Sequence, residues 1–310
     1  MLYEYAVEPE AIAVDWETFR YVIEKFGFDR GRLISGFPNN WARRVADAAR
    51  DSNMGPVKLS SLVNRLRKAQ IRAIIPNNRR VDAGIGDWLE SALAQHGERP
   101  FRAIVVGEDG TRHPAVLEID DLTDEHDLFA ASISWEVERT DEGIAAAVAP
   151  LLCSANEVLI VDPYFDLSER KFKGPLKVMM QKMVRSGKTG SGIQIHFRAH
   201  RDRPSMEDVE REVSGWIRGL IPNEFWLELY GWEERDFGED FHDRFLLCNR
   251  GGMEVGAGFA YAGHHQKLGI RLLSFDDCEV KRSRFKLETA VYDLTQPVLR
   301  IESDGRVTRI

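Results

Sequence analysis

His242-Asp243-Arg244-Phe245-Leu246-Leu247-Cys248-Asn249, followed by Gly251-Gly252-Met253-Glu254-Val255-Gly256-Ala257-Gly258-Phe259, carries the densest chemical signal in the chain. Phe245 to Cys248 is a continuous apolar run, as in a strand buried on both faces. If the strand begins at His242, residues i and i+2 share a face, so His242 and Arg244 converge while Phe245 and Leu247 turn away. Asp243 then faces away from the pair, toward a cation or a backbone amide. Gly256 and Gly258 leave room on the next strand for a phosphate to approach backbone amides. An imidazole can attack phosphorus, and a guanidinium can hold non-bridging oxygens. His242 and Arg244 are therefore candidate catalytic residues, with Gly256 and Gly258 as candidate phosphate contacts.

Around this stretch the chain alternates between strand and helix patterns. A helix is expected over Gly143–Ala155, and Val158-Leu159-Ile160-Val161 reads as a buried strand ending at Asp162-Pro163. Gly174-Pro175 is expected to open a helix with Pro at its first position, its inner stripe being Leu176, Met179, Met180 and Met183. Ile193–Phe197 and Phe225–Tyr230 read as strands. Ser205-Met206-Glu207-Asp208 fits a capping box for the helix between them. Phe245–Cys248, Met253–Phe259 and Ile270–Phe275 follow as strands, with a last helix capped by Ser283. Such alternation implies an α/β fold with helices on both faces of a mixed or parallel sheet. Open α/β sheets place ligands at strand carboxyl ends, which makes Asp162 and Tyr164 candidates. His200, with Arg198, Arg201 and Arg203, is a further pocket candidate. His196 reads as an ordinary strand residue, and His264-His265 as a loop.

The Asp162-Pro163-Tyr164-Phe165 strand end, the His242 motif and the glycine strand together resemble one unit of the phospholipase D superfamily, covering about residues 142–310. The resemblance implies a phospholipase D-like mixed-sheet sandwich with His242 as nucleophile. The family's lysine maps to Arg244 and its aspartate to Asn249, which would orient the histidine by hydrogen bonding without a carboxylate. The family's Gly-Ser-x-Asn stretch maps to Gly256-Ala257-Gly258-Phe259, which lacks the hydroxyl and the amide. The text His-Asp-Arg-Phe-Leu-Leu is similar to a bacterial subgroup often linked to mobile elements and defence. It is also similar to the C-terminal domain of MIT-domain proteins, a branch that uses the fold for binding. The resemblance therefore implies a metal-independent phosphodiesterase, as a nuclease or nuclease-like subunit of a bacterial antiphage defence system. Its alternative is a degenerate module that binds nucleic acid or partner proteins in a multi-subunit complex. Single-motif members pair two histidines across a twofold axis, so a homodimer through this domain is implied. No cofactor and no metal is expected.

Residues 1–95 read as a mainly helical domain, with helices near Trp16–Ile23, Trp41–Arg50, from Ser60 or Ser61, and around Trp88–Gln95. Residues 96–141 read as a β-rich connector, in which Arg102–Val106 and Pro114–Ile119 would form a strand and its return. The 310 residues carry a net charge of −8, unevenly distributed. Arg43 to Arg80 holds ten Lys or Arg and two acids, a net of +8. Arg43, Arg44, Arg65, Arg67, Lys68, Arg72, Arg79 and Arg80 are thus candidate nucleic-acid contacts, for DNA or RNA, with Trp41 and Asn77-Asn78 as possible stacking or polar partners. Three isolated cysteines make neither a disulfide frame nor a zinc site, and the N-terminal stretch does not read as a secretory signal. No apolar run is long enough to span a bilayer. A cytoplasmic compartment is expected.

Overall fold

The computed structural model describes residues 1–76, 79, 87–200, 203–289 and 291–310. The chain divides into two compact units, Met1–Ile133 and Ser134–Ile310.

The first unit runs β1 (Tyr3–Val7), α1 (Pro9–Ile12), α2 (Trp16–Ile23), β2 (Arg32–Ser35), α3 (Trp41–Asp51), α4 (Pro56–Arg72), β3 (Ile74–Ile75), α5 (Trp88–Glu98), β4 (Ile104–Val106) and β5 (Val116–Glu118). Its strands form one sheet in the order β3-β2-β1-β4-β5, every pair parallel. The expected helices are present. Asp15 caps α2 by accepting from the Thr18 amide at 2.7 Å, and α4 begins four residues earlier than expected, at Pro56. The unit is nevertheless a doubly wound sheet, not a helical domain. Its strands are short, and two of them carry a charge whose partner lies far along the chain. Glu4 in β1 accepts from Arg79 at 3.1 Å, and the Arg32 Nε of β2 donates to the Phe129 carbonyl at 2.9 Å. Those charges interrupt the apolar pattern by which a buried strand is read. Residues 96–133 belong to this unit, and β5 lies parallel to β4, not as its return.

Arg79 is a buried fastener. Its guanidinium lies 3.6 Å from the centre of the Phe101 ring and donates to Glu4 and to the carbonyls of Gln95 and Arg99. Arg79→Ala would leave Glu4 half-buried without its main partner. We expect a loss of about 3 kcal/mol in urea unfolding; a change within about 0.5 kcal/mol would remove this role.

The second unit runs β6 (Ser134–Arg139), α6 (Asp141–Ser154), β7 (Val158–Val161), α7 (Arg170–Arg185), β8 (Ser191–Arg198), α8 (Met206–Trp216), β9 (Phe225–Glu233), β10 (Phe245–Cys248), β11 (Gly251–Val255), β12 (Gly263–Leu272), α9 (Phe275–Ser283), β13 (Asp293–Glu302) and β14 (Val307–Arg309). Its sheet has the order β14-β13-β9-β8-β7-β10-β11-β12-β6. β7, β8 and β9 are parallel, whereas β10 enters antiparallel between β7 and β11. Every residue of β7 and β10 is buried, which is why both read as unbroken apolar runs. The result is a mixed α/β unit in which the carboxyl ends of β7, β8 and β9 meet the start of β10.

Several boundaries differ from the sequence reading, each for a local reason. α7 starts at Arg170, so Pro175 lies inside it. Proline has no N–H for the Lys171 carbonyl four residues back, and the Tyr261 amide takes that carbonyl instead, at 2.8 Å. The last helix is α9, capped by Ser274, whose Oγ accepts from the Asp277 amide at 3.0 Å. His264 and His265 lie within β12, in the irregular stretch between its paired residues Gly263 and Lys267, and not in a separate loop. Ser205 and Asp208 form the expected capping box, and Met179, Met180 and Met183 are buried.

Candidate functional site

The site is assembled at the sheet end where β7 stops. The Asp162 amide donates to the His196 carbonyl of β8 at 3.0 Å. Asp162 is 2% exposed, and its two carboxylate oxygens do separate work. Oδ1 accepts from the Tyr164 amide at 3.0 Å, which closes the turn through Pro163, and Oδ2 accepts from the Phe259 amide at 3.0 Å. Burial pushes the Asp162 carboxyl up, while these amides, Arg244 and Arg203 favour the charged form. Asp162 therefore ties the turn after β7 to the loop after β11. Gly258 makes that tie possible: its φ is +77°, and a Cβ there would collide with the Asp162 carboxylate and lie 3.3 Å from Arg244 Cδ. Arg139 fastens the same loop, donating to the carbonyls of Ala257 and Ala260 at 3.2 Å.

Above this clamp stands Tyr164, 38% exposed and faced by three arginines. The guanidinium carbons of Arg244, Arg198 and Arg203 lie 4.8, 5.7 and 5.8 Å from its ring centre. Arg203 is held by donation to the Pro163 carbonyl at 2.7 Å, and Arg244 by donation to the Gly256 carbonyl at 3.2 Å. Among the described residues, neither has a carboxylate within ion-pair distance. Arg198 is paired with Glu234 at 3.3 Å. Three guanidiniums around one aromatic ring, two of them without an ion pair among the described residues, form an electropositive patch suited to an anion with several oxygens.

His242 stands at the edge of this patch, half exposed. It precedes β10 by three residues, so strand alternation does not place it. The loop after β9 does. Glu234 accepts from the Phe241 amide at 2.7 Å and from Arg198, and His242 Nε2 is 3.9 Å from Asp240 Oδ2. The Phe241 amide, with Arg198 and the nearby His242, holds the Glu234 carboxyl below its ordinary value. Glu234, Asp240 and His242 bring three ligand atoms within 4.8 Å of one another. All three are exposed, and Glu234 is already engaged, so the trio is a loose frame for a cation. Asp243 faces away, 3.6 Å from Lys281 of α9.

Asn249 and the two glycines are placed differently from the sequence reading. Asn249 lies exposed in the turn between β10 and β11, at the other end of β10 from His242. Four strand residues separate the two ends, roughly 13 Å, so Asn249 does not orient the histidine. The carboxylates beside the ring are those of Asp240 and Glu234. Their signal was indirect: β9 runs parallel to β8, so whatever follows it emerges at the same sheet end. The Gly256 amide donates to the Gly269 carbonyl at 3.0 Å and the Gly258 amide to Val255 at 2.9 Å. Both amides are therefore spent within the fold, and the glycines serve the Asp162 clamp and the approach of Arg244. His200 is exposed just beyond β8, where its carbonyl accepts from the Arg203 amide. His196 is buried in the sheet, with Nδ1 accepting from Trp232 Nε1 at 3.0 Å.

The basic stretch of the first unit is less open than its sequence. Arg43, Arg44 and Arg65 pair with Asp47, Glu10 and Glu24, and Arg79 is buried. Arg67, Lys68 and Arg72 are exposed, whereas Arg80 and Asn77-Asn78 lie outside the described residues.

No family model matches the chain, and no curated protein matches it. Among solved structures, TrmBL2, described as an archaeal chromatin protein with a novel mode of DNA binding, aligns at 12% identity and a TM-score of 0.25. The alignment covers 50% of this chain and 51% of that one, and a likeness so low carries no argument. Among the described residues, no helix is long and apolar enough to cross a membrane.

Proposed function

We propose that the second unit is a phospholipase D-like module that recognises a nucleic-acid phosphodiester, with His242 as the nucleophile toward phosphorus. The observation that carries this reading is the convergence of Arg198, Arg203 and Arg244 on Tyr164 beside an exposed imidazole. The guanidiniums take the non-bridging oxygens. His242 Nε2 forms the P–N bond as the ester P–O bond breaks, and Asp240 and Glu234 balance the imidazolium charge. In the homodimeric form of the mechanism, the departing alkoxide takes its proton from His242 of a second copy, and water then hydrolyses the phosphohistidine. The placement in antiphage defence rests on the sequence resemblance alone.

The test is incubation of the purified protein with DNA and RNA in EDTA. Cleavage should occur, and His242→Ala should slow it by roughly 1,000-fold. No cleavage, or cleavage indifferent to His242, removes the enzymatic reading.

A second reading, recognition without hydrolysis, is favoured by the spent amides of Gly256 and Gly258 and by the remoteness of Asn249. It predicts that oligonucleotide binding survives His242→Ala and weakens steeply with salt.

A further inference from the structure

Two features of the second unit are complementary in charge, and β9 separates them. Ahead of β9, Leu220, Ile221 and Pro222 face Lys177, Val184 and Arg185 of α7 across a groove of about 370 Å³. Val184 is 45% exposed, and no acidic residue lines the groove. Among the described residues, Lys177 and Arg185 have no acidic partner within ion-pair distance. The groove is thus an apolar floor with an unopposed cationic rim.

Beyond β9 the loop 234–241 has the inverse character. Phe237 at its tip is fully exposed and held at φ +61°, a conformation that side chains with a Cβ seldom adopt. Glu234, Asp236, Glu239 and Asp240 surround it in sequence. The base of the loop is fastened rather than loose: Arg235 pairs with Asp293 at 2.6 Å, Arg284 with Glu239 at 2.7 Å, and the Tyr292 hydroxyl donates to the Asp240 carbonyl at 3.3 Å. The fold therefore presents an aromatic side chain on an acidic mount.

β9 spans nine residues, roughly 30 Å, so the loop and the groove of one chain lie at opposite ends of that strand and cannot meet. We propose that Phe237 and its acidic neighbours dock in the Lys177–Arg185 groove of a second copy, so that the protein associates head to tail. Phe237 would cover Val184, Leu220 and Ile221, with Asp236 toward the cationic rim. Such a contact uses two different patches, so it propagates to a ring or a filament, unlike a twofold dimer. This proposal stands apart from the phosphodiester reading.

The test is molar mass by light scattering as protein concentration and salt are varied. The wild type should rise above the 35.3 kDa monomer with concentration and fall back with salt. Phe237→Asn, which keeps a residue tolerant of the left-handed backbone, and the double variant Lys177→Glu with Arg185→Glu should each weaken association by roughly tenfold or more. Each variant keeps one intact patch. Mixing the two should therefore restore a pair of about twice the monomer mass, which also establishes that both are folded. A wild type that stays monomeric throughout, an oligomer indifferent to both variants, or a mixture that remains monomeric overturns the proposal.

Discussion

Asp162→Ala is expected to destabilise the second unit by about 3 kcal/mol, because it leaves one buried and one part-buried amide without acceptors, each at roughly 1–3 kcal/mol. The Tyr164 amide would lose the bond that closes the turn after β7, and the Phe259 amide the bond that holds the loop after β11. Both losses fall beneath Tyr164 and Arg244, so the variant should bind an anion less well at temperatures where it remains folded. Asp162→Asn keeps one acceptor oxygen and should lose about half as much. Urea unfolding measures the difference. A loss below about 1 kcal/mol for Asp162→Ala would mean that the clamp does not hold the site together.

Acid should weaken the fold through His196. Its ring is stacked on Tyr230 at 4.7 Å and Trp232 at 5.9 Å, with Phe285 edge-on at 5.2 Å. Trp232 donates to Nδ1, so the neutral ring carries its proton on Nε2, which is buried without a hydrogen-bond partner among the described residues. Burial pushes the imidazole from an ordinary value of 6.5 down to about 3. Between those values the unfolded chain binds a proton that the folded chain refuses, so stability falls as pH falls below about 6.5. From pH 7 to pH 5 the contribution of this one residue is about 2 kcal/mol. His196→Phe should abolish that slope and, at pH 7, cost about 1–2 kcal/mol for the orphaned Trp232 N–H. Unfolding curves of wild type and variant at several pH values between 5 and 7 provide the comparison, and parallel slopes would refute the assignment.

The second unit was legible in sequence where burial is two-sided. Val158–Val161 and Phe245–Cys248 are strands because apolar neighbours cover both faces. The first unit was obscured by charge in its sheet, since Glu4 and Arg32 find their partners 75 and 97 residues away along the chain. At the site, the residue types were readable and their joining was not. Arg198, Arg203, Arg244, Tyr164 and His242 stood out by chemistry, but β10 is only four residues long, so the motif runs past both of its ends. One end meets the loop that brings Glu234 and Asp240; the other carries Asn249 away. The Gly256-x-Gly258 spacing reads equally well as room for a ligand and as room for Asp162, and hydrogen bonding decides for Asp162.

Recognition of a phosphodiester by the arginines around Tyr164 is tested most directly by the affinity for a short single-stranded oligonucleotide as a function of salt, measured by fluorescence anisotropy. Arg244→Ala and Arg203→Ala should each weaken binding by roughly tenfold and lower the salt slope by about one ion or less. Arg218→Ala in the second unit, remote in sequence from the Tyr164 turn and outside the arginines that face it, serves as the surface control and should change affinity less than either. Affinity and salt slope unchanged in both arginine variants would contradict the phosphodiester site.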